Sequence, residues 1–173
     1  GHMHLNLFIH SRGHHEASWR HRDASTKPLT DISYFQDLAH RAEAGLFDSL
    51  FLADQLALGE DISSAPRTWL EPLTVLGALA VSTKRIGLIA TASTTYTEPY
   101  NLARQFASLD HMSGGRVGWN IVTSWSVAAA SNYGDEAQVS HAKRYERAEE
   151  FMQVANGLWN SWADDIIIDD RKN

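Results

Sequence analysis

Apolar residues along the chain fall into two alternating kinds of stretch: short continuous runs, and longer segments where they recur every three or four positions. The runs occupy residues 5–9, 49–53, 85–90 and 117–122, each about as long as a strand and each followed by polar or small residues. Between them, Tyr34, Phe35, Leu38, Ala39 and Ala42 share one helical face, behind Asp31 as a cap and ahead of Gly45 as a stop. A second helix is predicted over 71–83, with Pro72 in its first turn and Leu73, Leu76, Leu79 and Ala80 on its buried side. A third opens at Pro99, runs through Leu102, Phe106 and Leu109, and is closed by Gly114-Gly115. The last runs from about Ala142 to Trp159, with Tyr145, Ala148, Phe151, Met152, Ala155 and Leu158 on one stripe. The predicted order is β-α-β-α-β-α-β-α.

Strands separated by helices pair in parallel, because parallel neighbours need a crossover between them. Their nearly unbroken apolar character means that both faces of the sheet are covered. A doubly wound open sheet and a (β/α)8 TIM barrel both satisfy this pattern, and four units cannot close a barrel alone. No Gly-x-Gly-x-x-Gly follows the first run, which argues against a dinucleotide-binding fold. In a barrel, the site gathers at the C-terminal ends of successive strands. Here those ends are Asp54, Thr91 and Asn120, all able to hydrogen-bond a polar ligand.

Composition narrows the classes of partner. With 173 residues, 43% hydrophobic and 21% charged, the chain has the length and make-up of one globular domain. A net charge of −6 leaves no overall basic field for nucleic acid or anionic lipid. No apolar run approaches the ~20 residues of a membrane span and no signal-peptide pattern opens the chain, so a cytoplasmic enzyme is expected. The absence of cysteine excludes disulfides and thiolate chemistry. Gly1-His2-Met3 reads as an expression-tag remnant.

Two further features carry candidate chemistry. Residues 10–27 form a polar segment too long for a simple turn and rich in His, Arg and Trp, which marks a functional loop. His14 and His15 are adjacent and diverge on any regular backbone, so no metal site is expected there. His141 and Tyr145 stand four residues apart and so face one side of a helix. Each candidate has a plain structural alternative: a turn or cap for Asp54, strand preference for Thr91, a loop-tying amide for Asn120, a cap for His141, a core aromatic for Tyr145. Arg144 and Arg147 are expected to pair with Glu146, Glu149 or Glu150 on a solvated face.

Five segments together resemble a known family. They are Gly13-His14-His15-Glu16-Ala17-Ser18-Trp19-Arg20-His21, Phe51-Leu52-Ala53-Asp54, Ala90-Thr91-Ala92-Ser93-Thr94-Thr95-Tyr96, the run from Leu109 through Gly114-Gly115-Arg116-Val117-Gly118-Trp119-Asn120-Ile121-Val122-Thr123-Ser124, and His141-Ala142-Lys143-Arg144-Tyr145-Glu146-Arg147-Ala148-Glu149-Glu150. The chain resembles the bacterial luciferase-like flavin monooxygenases, in the group of nitrilotriacetate, dibenzothiophene-sulfone and long-chain alkane monooxygenases. That resemblance implies a (β/α)8 TIM barrel of which residues 1–173 are the N-terminal half, the first four βα units; part of the flavin phosphate site, a serine of the second half, then lies outside the chain. It implies a two-component enzyme that takes reduced flavin mononucleotide (FMN) from a flavin reductase and uses dioxygen to oxygenate a small organic substrate. A homo-oligomer is expected. Asp54, Thr91 and Asn120 would then contact the flavin ring, with Val122, Thr123 and Ser124 continuing the wall beneath it, and His141 and Tyr145 its ribityl phosphate. The 10–22 loop would cover the reactive face, with Trp19 as an apolar wall and His10, His14 or Arg20 as a handle for an anionic substrate. Two alternatives stand beside this reading: a deazaflavin-dependent luciferase-like oxidoreductase, and a non-catalytic flavin-binding homologue.

Overall fold

The computed structural model describes residues 1, 3–58, 70–134 and 139–170. Four parallel strands, β1 (Asn6–Ile9), β2 (Ser49–Leu52), β3 (Gly87–Ser93) and β4 (Val117–Val122), lie side by side in the order of the sequence. That order chooses between the two architectures the periodicity left open. A doubly wound sheet reverses its strand order at a switch point, whereas successive barrel units add each strand to the same side of the last. The register runs straight across, Phe8 to Phe51 to Ile89 to Gly118.

The helices α1 (Ile32–Ala44), α2 (Pro72–Ser82) and α3 (Pro99–Ser113) form the crossovers, and their starts follow the predicted chemistry. The Asp31 carboxylate accepts from the Ser33 N–H, and Glu71 accepts from the N–H groups of Leu73 and Thr74 just ahead of Pro72. Gly114 (φ 68°) and Gly115 (φ 82°) end α3 in the left-handed region. At the end of α1 the expected division of labour is shifted by one residue. Gly45 keeps φ −79° and the exposed Leu46 takes φ 61°. The buried sides of α1, α2 and α3 pack with Leu50, Leu52, Leu88 and Ala90 into one core.

The C-terminal part differs from expectation in two respects. A short helix, α4 (Val127–Asn132), which the apolar pattern did not announce, precedes α5 (His141–Trp159). Only Ala129 and Ala130 of α4 are buried, too small a stripe to register as periodicity. The predicted stripe of α5 is also rotated: Arg144, Phe151 and Ala155 are buried, while Tyr145 is 56% exposed. Phe151 and Phe106 pack about Trp119, whose indole N–H donates to the Ala92 carbonyl at 3.0 Å. A second, smaller core therefore joins α3, α5 and β4 on the helix side of the sheet.

Candidate functional site at the strand ends

Alternation along the strands sends Leu50, Leu52, Leu88, Ala90 and Ala92 towards the helices, and leaves Phe8, Phe51, Ile89 and Gly118 as a row on the opposite, concave face. A methyl group on Gly118 would come within 3.1 Å of Ile89 Cγ1, so this part of the row is flat because it has to be. Two residues further on, the same face becomes polar. The strand expected over 85–90 extends to Ser93, because residues 91–93 keep pairing with 120–122 of β4. Thr91 and Asn120 therefore sit within the sheet, near its C-terminal edge, and directly opposite each other. The Asn120 amide donates to the Thr91 hydroxyl at 2.9 Å. That bond leaves the Asn120 carbonyl as an acceptor and the Thr91 hydroxyl as a donor.

Asp54 lies just past the end of β2, half-buried, with one carboxylate oxygen accepting from the Gln55 N–H at 2.8 Å. Burial pushes its pKa up; the Gln55 hydrogen bond opposes this and the nearby Glu71 charge adds to it. Tyr133, just beyond α4, is close enough to Asp54 for that carboxylate's charge to raise the phenol's pKa, after the larger effect of burial. The Tyr133 ring stacks on Tyr96 at 4.6 Å and 14°, and Asn132 donates to the Leu56 carbonyl at 2.8 Å. Hence α4, missed in the sequence, closes over the segment that carries Asp54. The Tyr96 hydroxyl is buried and has no hydrogen-bond partner among the described residues. Neither tyrosine was singled out as a site residue, since nothing in their spacing places them together; only the fold does.

The loops after β3 and β4 are stitched to one another. Thr95 Oγ1 donates to the Thr123 carbonyl at 2.6 Å, and Ser124 Oγ to Ser93 Oγ at 2.7 Å. The start of α5 is fastened to the same place by Arg147, which donates to the carbonyls of Thr94 (2.9 Å) and Thr97 (3.2 Å) and lies 3.5 Å from Glu98. This corrects the expected pairing of Arg147 with a glutamate of its own helix. Arg144 departs further from expectation, being buried and donating to the Val139 carbonyl. One turn before Arg147, the rings of His141 and Tyr145 lie 4.6 Å apart. Both are exposed, and Ser140 rather than His141 is the cap residue, without a side-chain hydrogen bond there. The core-aromatic and cap alternatives for this pair are thereby removed.

On the first strand, His10 follows Ile9, and its ring stacks on His14 at 5.2 Å, with Phe8 edge-on to both. Phe8 in turn contacts Phe51 at 4.7 Å. Within residues 10–27 the one regular feature is a 3-10 turn, Ser18–Arg20, where the Arg20 guanidinium lies 4.9 Å over the Trp19 ring. His14 and His15 do diverge: the latter accepts from the Ala17 N–H instead. Among the described residues no three acidic or imidazole side chains gather as a metal site, and no helix is long and apolar enough to cross a membrane.

The site can thus offer an aromatic and aliphatic floor, an edge of paired hydrogen-bonding groups, a carboxyl beside two tyrosines, and an imidazole-phenol pair at a helix start. Comparison with known proteins places this arrangement in a family. The model for luciferase-like monooxygenases matches residues 8–167. N-acetyl-S-(2-succino)cysteine monooxygenase of Bacillus subtilis (strain 168) is 51% identical over 95% of this chain and 37% of its own length. Nitrilotriacetate monooxygenase component A of Aminobacter aminovorans is 42% identical over 98% of this chain and 40% of its own. The crystal structure of a riboflavin lyase with modified FMN and riboflavin superposes with a TM-score of 0.90 at 31% identity, over the whole chain and 41% of that protein. The chain thus spans about two fifths of the length of these relatives. Sequence, strand order and structural likeness agree, and the chain belongs to the luciferase-like monooxygenase family, as successive βα units of its TIM barrel.

Proposed function

We propose that this chain is the flavin-binding part of a two-component monooxygenase that receives reduced FMN from a separate flavin reductase and uses dioxygen to oxygenate a small organic substrate. The observation that carries this reading is the Thr91–Asn120 pair, one strand over from Asp54, lying beyond an apolar row on the same concave face. A flavin has a planar apolar body and one edge of alternating donors and acceptors. The row Phe8, Phe51, Ile89 and Gly118 suits the body, and the unspent groups of Thr91, Asn120 and Asp54 suit the edge. The buried, unpartnered Tyr96 hydroxyl is a further sign that this end of the sheet is built around a polar ligand.

Bound reduced flavin supplies the electrons that activate dioxygen. The chain's own residues bind, orient and shield. His141 and Tyr145, 4.6 Å apart at the start of α5, would hold the cofactor's phosphate, which the first N–H groups of that helix also favour. Arg147 holds that turn of helix against the β3–α3 loop, which would fix the spacing between the groups that hold the two ends of the cofactor. Val122 and Thr123 continue the wall, and their carbonyls are already engaged by Thr94 and Thr95. His10 and His14, in ring contact with Phe8, and Trp19 and Arg20 on the same loop would line the substrate side and help exclude water from the reacting face. Relatives named as monooxygenases of small organic molecules, and a relative whose structure holds modified FMN, support the same reading.

Anaerobic titration of the full-length protein with reduced FMN and, separately, with a reduced deazaflavin tests the proposal. Preferred binding of FMN, followed by oxygenated product on admitting dioxygen and substrate, is expected. Preference for the deazaflavin, or tight FMN binding without oxygen-dependent product from any substrate class, contradicts it.

A further inference from the structure

We propose that α4 is a clamp across the strand ends, in which Asn132 and Tyr133 are positioning residues that hold the Asp54 carboxyl where it meets the flavin. The proposal rests on the flavin-dependent reading above and adds to it what fixes one of the contacts.

After β4 the chain does not run straight on to α5. Ser124 takes φ 51°, a left-handed conformation that residues with side chains disfavour, and its hydroxyl donates to Ser93 Oγ at 2.7 Å. From this turn α4 leads back over the sheet, and its C-terminal end meets Tyr96, in the turn after β3, and Leu56, in the segment after β2. With strands in the order β1-β2-β3-β4, that crossing covers two strand spacings. Neighbouring strands lie ~4.8 Å apart and a helix rises ~1.5 Å per residue, so the six residues of α4 span roughly the distance required. Its buried side is Ala129 and Ala130, small enough for the helix backbone to lie close on what it covers. Gly134, with φ 83° and open space about it, turns the chain away directly after Tyr133.

The segment that α4 reaches has little else to hold it. Among the described residues, the bond from the Asn132 amide to the Leu56 carbonyl, at 2.8 Å, is the one hydrogen bond between residues 54–58 and another element. The Asp54 carboxylate accepts only from Gln55, its neighbour in the chain. Tyr133 lies close enough to Asp54 to feel its charge, and its ring stacks on Tyr96 at 4.6 Å and 14°. Tyr96 itself belongs to a turn fixed from two sides: Arg147 donates to the carbonyls of Thr94 and Thr97, and Thr95 to that of Thr123. The Asp54 segment is thus suspended from this fixed turn through two contacts of one short helix. A connection serving only to join β4 to α5 would need neither contact. Because a hydrogen bond weakens steeply with distance and angle, loosening either contact costs the flavin its carboxyl partner while leaving the Thr91–Asn120 pair in place.

A double-mutant cycle on the full-length protein, read by anaerobic titration with reduced FMN, tests the clamp. Tyr133→Ala and Asn132→Ala are each expected to weaken binding severalfold, and Tyr133→Phe, which keeps the ring for stacking, to restore most of the affinity. Tyr133→Ala added to Asp54→Ala costs nothing further, because the group being positioned is already gone. Losses that add in the double variant, or full affinity in Tyr133→Ala and Asn132→Ala beside a weakened Asp54→Ala, overturn the proposal. Amide hydrogen exchange in the flavin-free protein gives a readout independent of the cofactor: residues 54–58 are expected to exchange faster in Tyr133→Ala and Asn132→Ala while β3 and β4 keep their protection. Should Asp54→Ala leave FMN affinity untouched, the flavin reading falls by itself and hydrogen exchange decides the clamp; unchanged exchange at 54–58 overturns it.

Discussion

At the scale of single residues, the proposed site is built from side chains whose hydrogen bonding is incomplete among the described residues. Asn120 and Thr91 satisfy each other once, and the Asn120 carbonyl and the Thr91 O–H remain for the proposed ligand. The Tyr96 hydroxyl is the sharper case, since a buried donor without a partner costs ~1–3 kcal/mol. Removing it should therefore raise the stability of the flavin-free protein. Tyr96→Phe is expected to shift the denaturation midpoint upward by the equivalent of ~1 kcal/mol without flavin, and to lose that gain when FMN is bound. A fall in stability of the flavin-free variant would show that the hydroxyl already has a use within the chain.

At the scale of elements, the strands and main helices were legible because their apolar residues are periodic and their ends carry chemistry: Asp31, Pro72, Pro99 and Gly114 all stand where the capping rules put them. What was not legible depended on partners distant in sequence. β3 extends past Ala90 because β4 is there to pair with it, α4 has only two buried alanines to announce it, and Arg144 is buried despite its charge because the Val139 carbonyl receives it. The candidate residues were readable individually, Asp54, Thr91 and Asn120 as polar groups after apolar runs and His141 with Tyr145 by their spacing. The Tyr96–Tyr133 stack was not, because 37 positions separate its members along the chain. Arg147 shows the same limit from the other side: its partners are carbonyls of the β3–α3 loop rather than its neighbouring glutamates. Arg147→Ala should free the first turns of α5 and weaken FMN binding about tenfold while leaving far-ultraviolet circular dichroism unchanged. Unchanged affinity in that variant would mean that α5 is positioned by its packing on α3 and β4 without Arg147.

At the scale of the whole molecule, the proposed function separates ligand binding and stability between the two ends of the sheet. At the end opposite the site, Glu43 accepts from the N–H groups of Lys84, Arg85 and Ile86 at 2.9, 2.5 and 3.0 Å, joining α1 to the segment entering β3. Arg116 donates to the carbonyls of Ala80, Thr83, Ile86 and Ser113 and to the Thr83 hydroxyl, closing the ends of α2 and α3. Burial works to raise the Glu43 pKa, but the three N–H donors outweigh it and bring it down to about 2. A carboxyl with a depressed native pKa contributes stability above its unfolded pKa, and loses that contribution as pH falls towards its native one. Glu43→Gln should therefore destabilise the protein at neutral pH, with a difference from the unaltered protein that shrinks below the ordinary glutamate range and is gone near pH 2. A difference constant across acid pH would show that the charge is not what these N–H groups hold.

The central claim is that polar groups at successive strand ends and a histidine-tyrosine pair one helical turn apart grip the same flavin. Anaerobic titration of the full-length protein with reduced FMN tests this most directly, comparing the unaltered chain with Asp54→Ala and Tyr145→Phe. The account predicts that each substitution weakens binding, by about tenfold for the carboxyl and severalfold for the phenol. Affinity unchanged in both variants would contradict it.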